Sequence, residues 1–248
     1  RLKKISLKKK LNLNLIFTKN RGIHLISHNF DNEKQIIKIR FNNRNYKIYL
    51  NLIGKIQIKN IMMALLAAHK SGIKFKKIIN VISKVKSVEG RLEKIGEIKN
   101  NSKVILDYAH SPDALELALT NLREQFPFNN INLVFGCGGN RDKKKRSMMG
   151  KIAEKYSDKI YLTDDNPRYE EPTIIRKEIK KGIKKTKVYE ISDRKKAINK
   201  AVQDLNTGDI LLVAGKGHEK FQDFGKKKLF FSDSQVILKS IKLKNKFL

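Results

Sequence analysis

Four short stretches of this 248-residue chain bring together residue types that do chemistry at close range: Asp107-Tyr108-Ala109-His110, Gly136-Cys137-Gly138-Gly139-Asn140-Arg141-Asp142, Asp164-Asp165-Asn166-Pro167-Arg168 and Gly215-Lys216-Gly217-His218-Glu219. Arginine presents a planar fork of donors that matches a carboxylate, so Arg141 and Arg168 are each suited to grip one through two parallel bonds. Glu219, Asp165 and the side-chain oxygen of Asn166 are acceptors for an ammonium. A site with both features suits an amino acid, whose head carries both charges. Arg168 stands behind Pro167, whose ring fixes its own φ and pushes Asn166 into an extended conformation, so the Asn-Pro-Arg unit is rigid. Each stretch alone has a plainer reading. Glycines turn loops, Arg141 is one charge among Lys143, Lys144, Lys145 and Arg146, and His110 ties down its own loop. Only a shared location raises the four above that reading.

Each stretch directly follows a short apolar run: KVILD, INLVF, KIYL and ILLVA, with KVYEI as a further run. Helical patterns lie between them. Ser111-Pro112 caps and starts one whose Leu115, Ala118, Leu119 and Leu122 share a face; another runs through residues 151–156. A third starts at Pro172, where a missing N–H does no harm, and a fourth follows Ser192-Asp193. Continuous apolar strands alternating with helices predict an α/β fold, a mostly parallel sheet covered on both faces. Ligands bind such sheets beyond the carboxyl ends of the strands, where all four stretches fall. Residues 1–60 differ in texture, with short alternating runs at 12–17, 35–41 and 46–50. Asn42–Asn45 between the last two predicts a hairpin. Ile61–Ala68 opens a buried helix, residues 74–86 predict a second, and Val88-Glu89-Gly90-Arg91 reads as a linker. The expected domains are therefore 1–89 and 90–248.

Forty per cent hydrophobic and 32% charged residues describe a globular chain with ample volume for a core. No apolar run approaches a membrane span, no signal-peptide pattern opens the chain, and the single cysteine, Cys137, forms no intrachain disulfide. These features predict a cytoplasmic protein with no membrane partner. The charge of +31, from 55 Lys+Arg against 24 Asp+Glu, raises the alternative of a basic nucleic-acid-binding module. Lysine, asparagine and isoleucine are enriched together, as in Lys76-Lys77-Ile78-Ile79-Asn80, which is what an A/T-rich genome encodes. The lysines are also scattered over every segment. We read the charge as compositional and expect no specific nucleic acid.

DYAHSPDALELAL, FGCGGNRDKKKR, TDDNPR and VAGKGHE, in this order and spacing, resemble the C-terminal half of the Mur ligase family, and most closely its diaminopimelate-adding members. The resemblance covers residues 54–248 well and 1–53 loosely. It implies that 90–248 form a Rossmann-like amino-acid-binding domain and 1–89 the C-terminal part of a central ATP-binding domain. It further implies ATP-dependent amide formation in peptidoglycan synthesis, with ATP and Mg2+ as cofactors and meso-diaminopimelate and a UDP-N-acetylmuramoyl dipeptide as substrates, in a monomer. Arg141, Asp165, Asn166, Pro167, Arg168, Gly215 and Glu219 match positions that hold diaminopimelate by its distal end. Asn60, Arg91, Asp107 and His110 match positions near ATP. Gln57 stands where the family usually has asparagine. The family's glycine-rich phosphate loop, its carbamoylated lysine and its UDP-sugar domain have no counterpart, so a fragment is expected that does not turn over ATP alone. Closure on ATP would pivot near Glu89-Gly90. A lysine-adding relative is the nearest alternative, disfavoured because lysine has no second carboxylate for Arg168. A folylpolyglutamate-type ligase is more distant, and the Asp-Asn-Pro-Arg loop disfavours it.

Overall fold

The computed structural model describes residues 22–31 and 33–248, which belong to two units, Arg1–Lys86 and Ser87–Leu248. The alternating run at 12–17 lies outside the described residues. In the first unit β1 (His24–Asp31), β2 (Lys34–Phe41) and β3 (Arg44–Leu50) form an antiparallel sheet in that order. The hairpin expected here is β2–β3, with a tighter turn than 42–45: Asn42 and Asn43 alone reverse the chain, at φ 46° and 59°. Positive φ at both central positions matches the twist of the strands, and asparagine tolerates it better than most residues. Ile37, Ile39, Ile48 and Leu50 then share a buried cluster with residues of α1 (Ile56–Lys70) and α2 (Phe75–Ile82), among them Ile58, Met62, Leu65 and Ile78. α1 starts ahead of the apolar run because the carbonyls of Gly54 and Lys55 already accept the amides of Gln57 and Ile58. α2 stops at Ile82, short of residue 86, since Ser83, Lys84, Val85 and Lys86 are all exposed and nothing beyond Ile82 has a face to bury.

The second unit is built on a six-stranded sheet. Its order is β4 (Glu93–Glu97), β5 (Lys103–Asp107), β9 (Ile210–Ala214), β6 (Ile131–Phe135), β7 (Lys159–Leu162) and β8 (Lys187–Glu190). β4 pairs antiparallel at one edge and the other pairings are parallel. α3 (Pro112–Gln125), α4 (Lys144–Tyr156) and α5 (Pro172–Lys180) follow β5, β6 and β7; α6 (Arg194–Gln203) follows β8. A hairpin of β10 (Phe221–Asp223) and β11 (Lys228–Phe230) precedes α7 (Asp233–Lys244). Helix starts fall where capping chemistry places them. Ser111 accepts the amide of Ala114 ahead of Pro112, and Asp193 accepts that of Lys196 at 2.9 Å.

Val104, Leu106, Val134, Leu211 and Val213 pack with Ala197, Ile198, Ala201 and Val202 of α6 and Ile237 of α7. Ile105, Leu133, Phe135, Ile160, Leu162 and Leu212 are buried too, and the two-residue strand period turns them to the opposite face. There α3, α4 and α5 pack in series. Each fully buried aliphatic side chain contributes on the order of 1.5–3 kcal/mol. The steps from β5 through β8 run in one direction and put their helices on one face. The return to β9 runs the other way, and right-handed crossover places α6 on the other face. That reversal opens a crevice beyond the carboxyl ends of β5, β9 and β6.

Candidate functional site

The loops after β6 and β7 are seated on each other by missing side chains. A Cβ on Gly136 would stand 2.2 Å from Thr163 O, and one on Gly139 would stand 1.9 Å from Pro167 O. Gly139 N donates to Asn166 O at 2.9 Å across this contact. Arg168 follows with φ 53°, a left-handed conformation that costs a residue bearing a Cβ about 1–2 kcal/mol. Its amide is held by Asp223 O at 2.9 Å. The guanidinium then folds back: Nη1 donates to Gly139 O at 2.9 Å and Asn166 O at 3.4 Å, while Nε lies 3.7 Å from Asp223 Oδ2. Among the described residues Nη2 is the nitrogen with no partner. Nη1 is thereby committed to its own loop and Nε is drawn toward Asp223, so the nitrogen that remains for the expected carboxylate is Nη2. Arg141, in contrast, is exposed and has no hydrogen bond or ion pair among the described residues, so its whole fork is available. Gly138 lies between the two arginines: a Cβ there would meet Arg168 Nη1 at 2.8 Å and Arg141 Cγ at 3.9 Å.

The acceptor side also differs from expectation. Asn166 Oδ1 was expected to accept from a ligand ammonium, but it already accepts from Lys216 Nζ at 3.0 Å and from Asp223 N at 3.0 Å. Glu219 Oε2 accepts from Lys216 Nζ at 3.0 Å and Asn166 Nδ2 at 2.9 Å, and Oε1 lies 3.4 Å from Tyr108 Oη. Burial alone would raise the Glu219 carboxyl, yet the bonds from Asn166 and Lys216 and the nearby lysine charge outweigh it and hold it below the ordinary carboxylate range. Asp165 behaves in the opposite way. Burial pushes it up against the charges of Arg194 and Lys216, and among the described residues its Oδ2 has no hydrogen-bond partner. Gly215, at φ 115°, is required beside it, since a Cβ would come within 2.6 Å of that oxygen.

On the β5 side, both Asp107 oxygens are taken by backbone amides, those of Leu92 and Ala109, each at 2.8 Å. Burial raises this carboxyl in spite of the two bonds. Tyr108 collects the neighbouring groups: the Arg91 guanidinium lies 4.9 Å over its ring, and the rings of His110 and His218 stand 4.7 and 5.3 Å away. Gly90 belongs to this cluster. Its carbonyl accepts Tyr108 N at 2.8 Å, and a Cβ would stand 2.7 Å from His218 N. Asn60 lies in the other unit, exposed on α1, with Nδ2 donating to Gln57 Oε1 at 3.1 Å.

Several charged residues turn out to be supports. Arg146, which the sequence groups with Lys143, Lys144 and Lys145 as surface charge, is fully buried; it forks onto Glu170 at 3.0 Å from both Nη atoms and reaches Glu178 at 2.6 Å. Glu170 in turn accepts the amide of Asn140, which fixes the residue beside Arg141. Arg194 and Asp233, both buried, form a paired fork at 2.8 and 2.7 Å, and Arg194 also donates to Ala214 O at the end of β9. Sequence reasoning quoted Lys216 and Tyr108 within the four stretches without giving them a role, and missed Arg194 and Asp223. The Lys-x-x-Glu spacing of Lys216 and Glu219 was the one available signal.

A mostly parallel sheet with loops of paired charges gathered at its carboxyl edge defines an α/β domain with a candidate site at that edge. The comparisons with known proteins make the class narrower. Residues 90–217 match the family described as Mur ligase, glutamate ligase domain, and the chain belongs to the Mur ligase family. It is 46% identical over 213 residues to a UDP-N-acetylmuramoyl-L-alanyl-D-glutamate--2,6-diaminopimelate ligase of Rickettsia felis, covering 86% of this chain and 39% of that protein. The Rickettsia rickettsii protein of the same name is 48% identical over 210 residues, covering 84% and 43%. A solved structure of a ligase of that name superposes with TM-score 0.71 at 28% identity, over 98% of this chain and 50% of the other. The chain thus spans less than half the length of these two curated relatives.

Proposed function

We propose that this chain supplies the amino-acid-binding part of a ligase that joins meso-diaminopimelate to the D-glutamate of a UDP-N-acetylmuramoyl dipeptide in peptidoglycan synthesis. The names of its relatives point to this reaction. The observation that carries the reading is the pair of arginines flanking Gly138, linked through Asn166 to an ionised Glu219: donors for a carboxylate and an acceptor for an ammonium on one connected set of loops. Arg141 offers a full fork and Arg168 offers Nη2 to the distal carboxylate, and Glu219 offers Oε1 to the adjacent ammonium. Gripping that distal end leaves the other amine of the substrate to act as nucleophile, with its direction set by the clamp.

ATP, when bound, supplies the phosphoryl group that activates the glutamate carboxylate toward an amine. On this chain Arg91 and His110, arrayed around Tyr108, present a cationic and aromatic surface that fits a nucleotide, and Asp107 supports them by fixing the backbone at Leu92 and Ala109. Asn60 is the contact assigned to the first unit, read as the end of the ATP-binding domain. Gly90 is fixed to the loops of the second unit. Among the described residues no group of three or more His, Cys, Asp or Glu side chains is gathered to hold a metal ion, and no step is assigned to magnesium. Calorimetric titration with meso-diaminopimelate and with L-lysine tests the reading. A clear preference for diaminopimelate is expected; equal binding of the two would overturn the distal-carboxylate assignment.

A further inference from the structure

We infer that Lys216 is the positioning residue of the amino-acid site, a buried ammonium that sets both the acceptor Glu219 and the donor Arg168 without touching the ligand. The inference rests on the reading of the site given above.

A fully buried lysine is rare and costly unless every donor is paired. Lys216 meets that condition. Its side chain is 0% exposed, and its three donors go to Asn166 Oδ1 at 3.0 Å, Glu219 Oε2 at 3.0 Å and Phe221 O at 2.5 Å. An ammonium has three donors, so none remains for a ligand. The three acceptors come from three segments: the loop after β7, the turn after β9 and the start of β10.

Two consequences follow on the acceptor side. An asparagine amide has two faces, and its orientation is fixed only by its partners. Lys216 Nζ and Asp223 N can only donate, so both must meet Asn166 Oδ1, and Asn166 Nδ2 is left to donate to Glu219 Oε2 at 2.9 Å. With Oε2 taken twice, Glu219 presents one oxygen, Oε1, on the side of Tyr108. On the donor side, Phe221 O and Asp223 N tie β10 to the same centre. Asp223 then holds Arg168 twice, through its carbonyl on the Arg168 amide at 2.9 Å and its Oδ2 at 3.7 Å from Nε. The spacing between the group that takes a carboxylate and the group that takes an ammonium is therefore set by one side chain in the interior.

The test uses the chain with Lys216→Met, of similar length but without donors, and with Lys216→Met combined with Glu219→Gln, which also removes the Glu219 carboxylate that the methionine would leave without its ammonium. NMR titrations with meso-diaminopimelate and L-lysine are paired with amide hydrogen exchange at Arg168 and Asp223, with β9 amides as the reference for global stability. In Lys216→Met we expect diaminopimelate affinity to fall about thirtyfold or more, its preference over lysine to collapse, and exchange at Arg168 and Asp223 to accelerate while β9 stays protected. Unchanged exchange at those two amides would overturn the proposal, as would equal weakening of both ligands. Loss of β9 protection in both variants would assign Lys216 to stability alone and overturn it too. An unmodified chain that fails to discriminate the two ligands would overturn the diaminopimelate reading, and the exchange data would still decide the role of Lys216.

Discussion

Arg168 keeps a left-handed backbone that glycine adopts freely, so Arg168→Gly separates what the fold loses from what the site loses. Arg168→Gly and Arg168→Ala both remove the bonds from Nη1 to Gly139 O and Asn166 O and the approach of Nε to Asp223. They differ only in the Cβ retained at φ 53°. That Cβ costs about 1–2 kcal/mol, and the greater unfolded-state freedom of glycine offsets ~0.5–1 kcal/mol. The glycine variant should therefore be the more stable of the two by ~0.5–1 kcal/mol, or about 1–4 °C in Tm for a unit of this size. Recognition should suffer equally in both. The single charge-assisted contact from Nη2 is worth ~1.5–3 kcal/mol, roughly tenfold to 150-fold in the Kd for meso-diaminopimelate. Lysine, with no distal carboxylate, should bind almost as before. Calorimetry with both ligands and thermal melts of both variants read these numbers. An alanine variant at least as stable as the glycine one would refute the strain argument; parallel weakening of lysine would refute the placement of Arg168 at the distal carboxylate.

Gly139→Ala should separate the loops after β6 and β7, since its Cβ would stand 1.9 Å from Pro167 O, and amino-acid binding should drop while β9 amides keep their exchange protection. Arg146→Met leaves Glu170 and Glu178 without their buried partner and should destabilise by ~3–5 kcal/mol in urea melts. Lys143→Gln with Lys144→Gln should stay within about 0.5 kcal/mol, lower the salt-sensitive retention of labelled DNA, and leave amino-acid binding intact; sequence-selective binding that survives physiological salt would contradict this. Glu219 is held below its ordinary value of 4.5, so its contribution is present above that value and lost as pH falls through its lower folded value. Amino-acid affinity should accordingly persist from neutral pH down to 4.5, and a loss beginning well above 4.5 would show that Asn166 and Lys216 do not hold Glu219 ionised.

The parallel core was legible because its strands are continuous apolar runs and its helices carry their caps in the sequence, Ser111-Pro112 and Asp193 among them. β4 was not, since an edge strand reading EKIGE buries little and shows no period. β10 and β11 are three residues each and mostly exposed, too short for any pattern. The gathering of the four loops at one edge followed from their place at the carboxyl ends of parallel strands, but the roles within them did not. Lys216 looks like one more lysine in a lysine-rich chain, and the residue that explains its burial, Asn166, is 50 positions away. Arg146 is hidden in the same way by its neighbours in sequence, although its partners lie 24 and 32 positions on. Charge pairs of this kind are set by tertiary distance, which composition and spacing do not carry.

The place of β9 in the sheet governs how this protein can be made. β5 and β6 never pair with each other; each waits for residues 210–214 to arrive between them. On the ribosome β6, β7 and β8 can join in succession as they emerge, and β4 with β5, leaving two half-sheets with open facing edges. Such edges recruit other chains until they are covered. A nascent chain halted before Ile210 is held at that point, with its most apolar strand missing from the middle. Gly215 to Glu219 leave the ribosome directly behind β9, so the strand that closes the two halves also delivers Lys216 and Glu219, with Phe221 and Asp223 of β10 next in line.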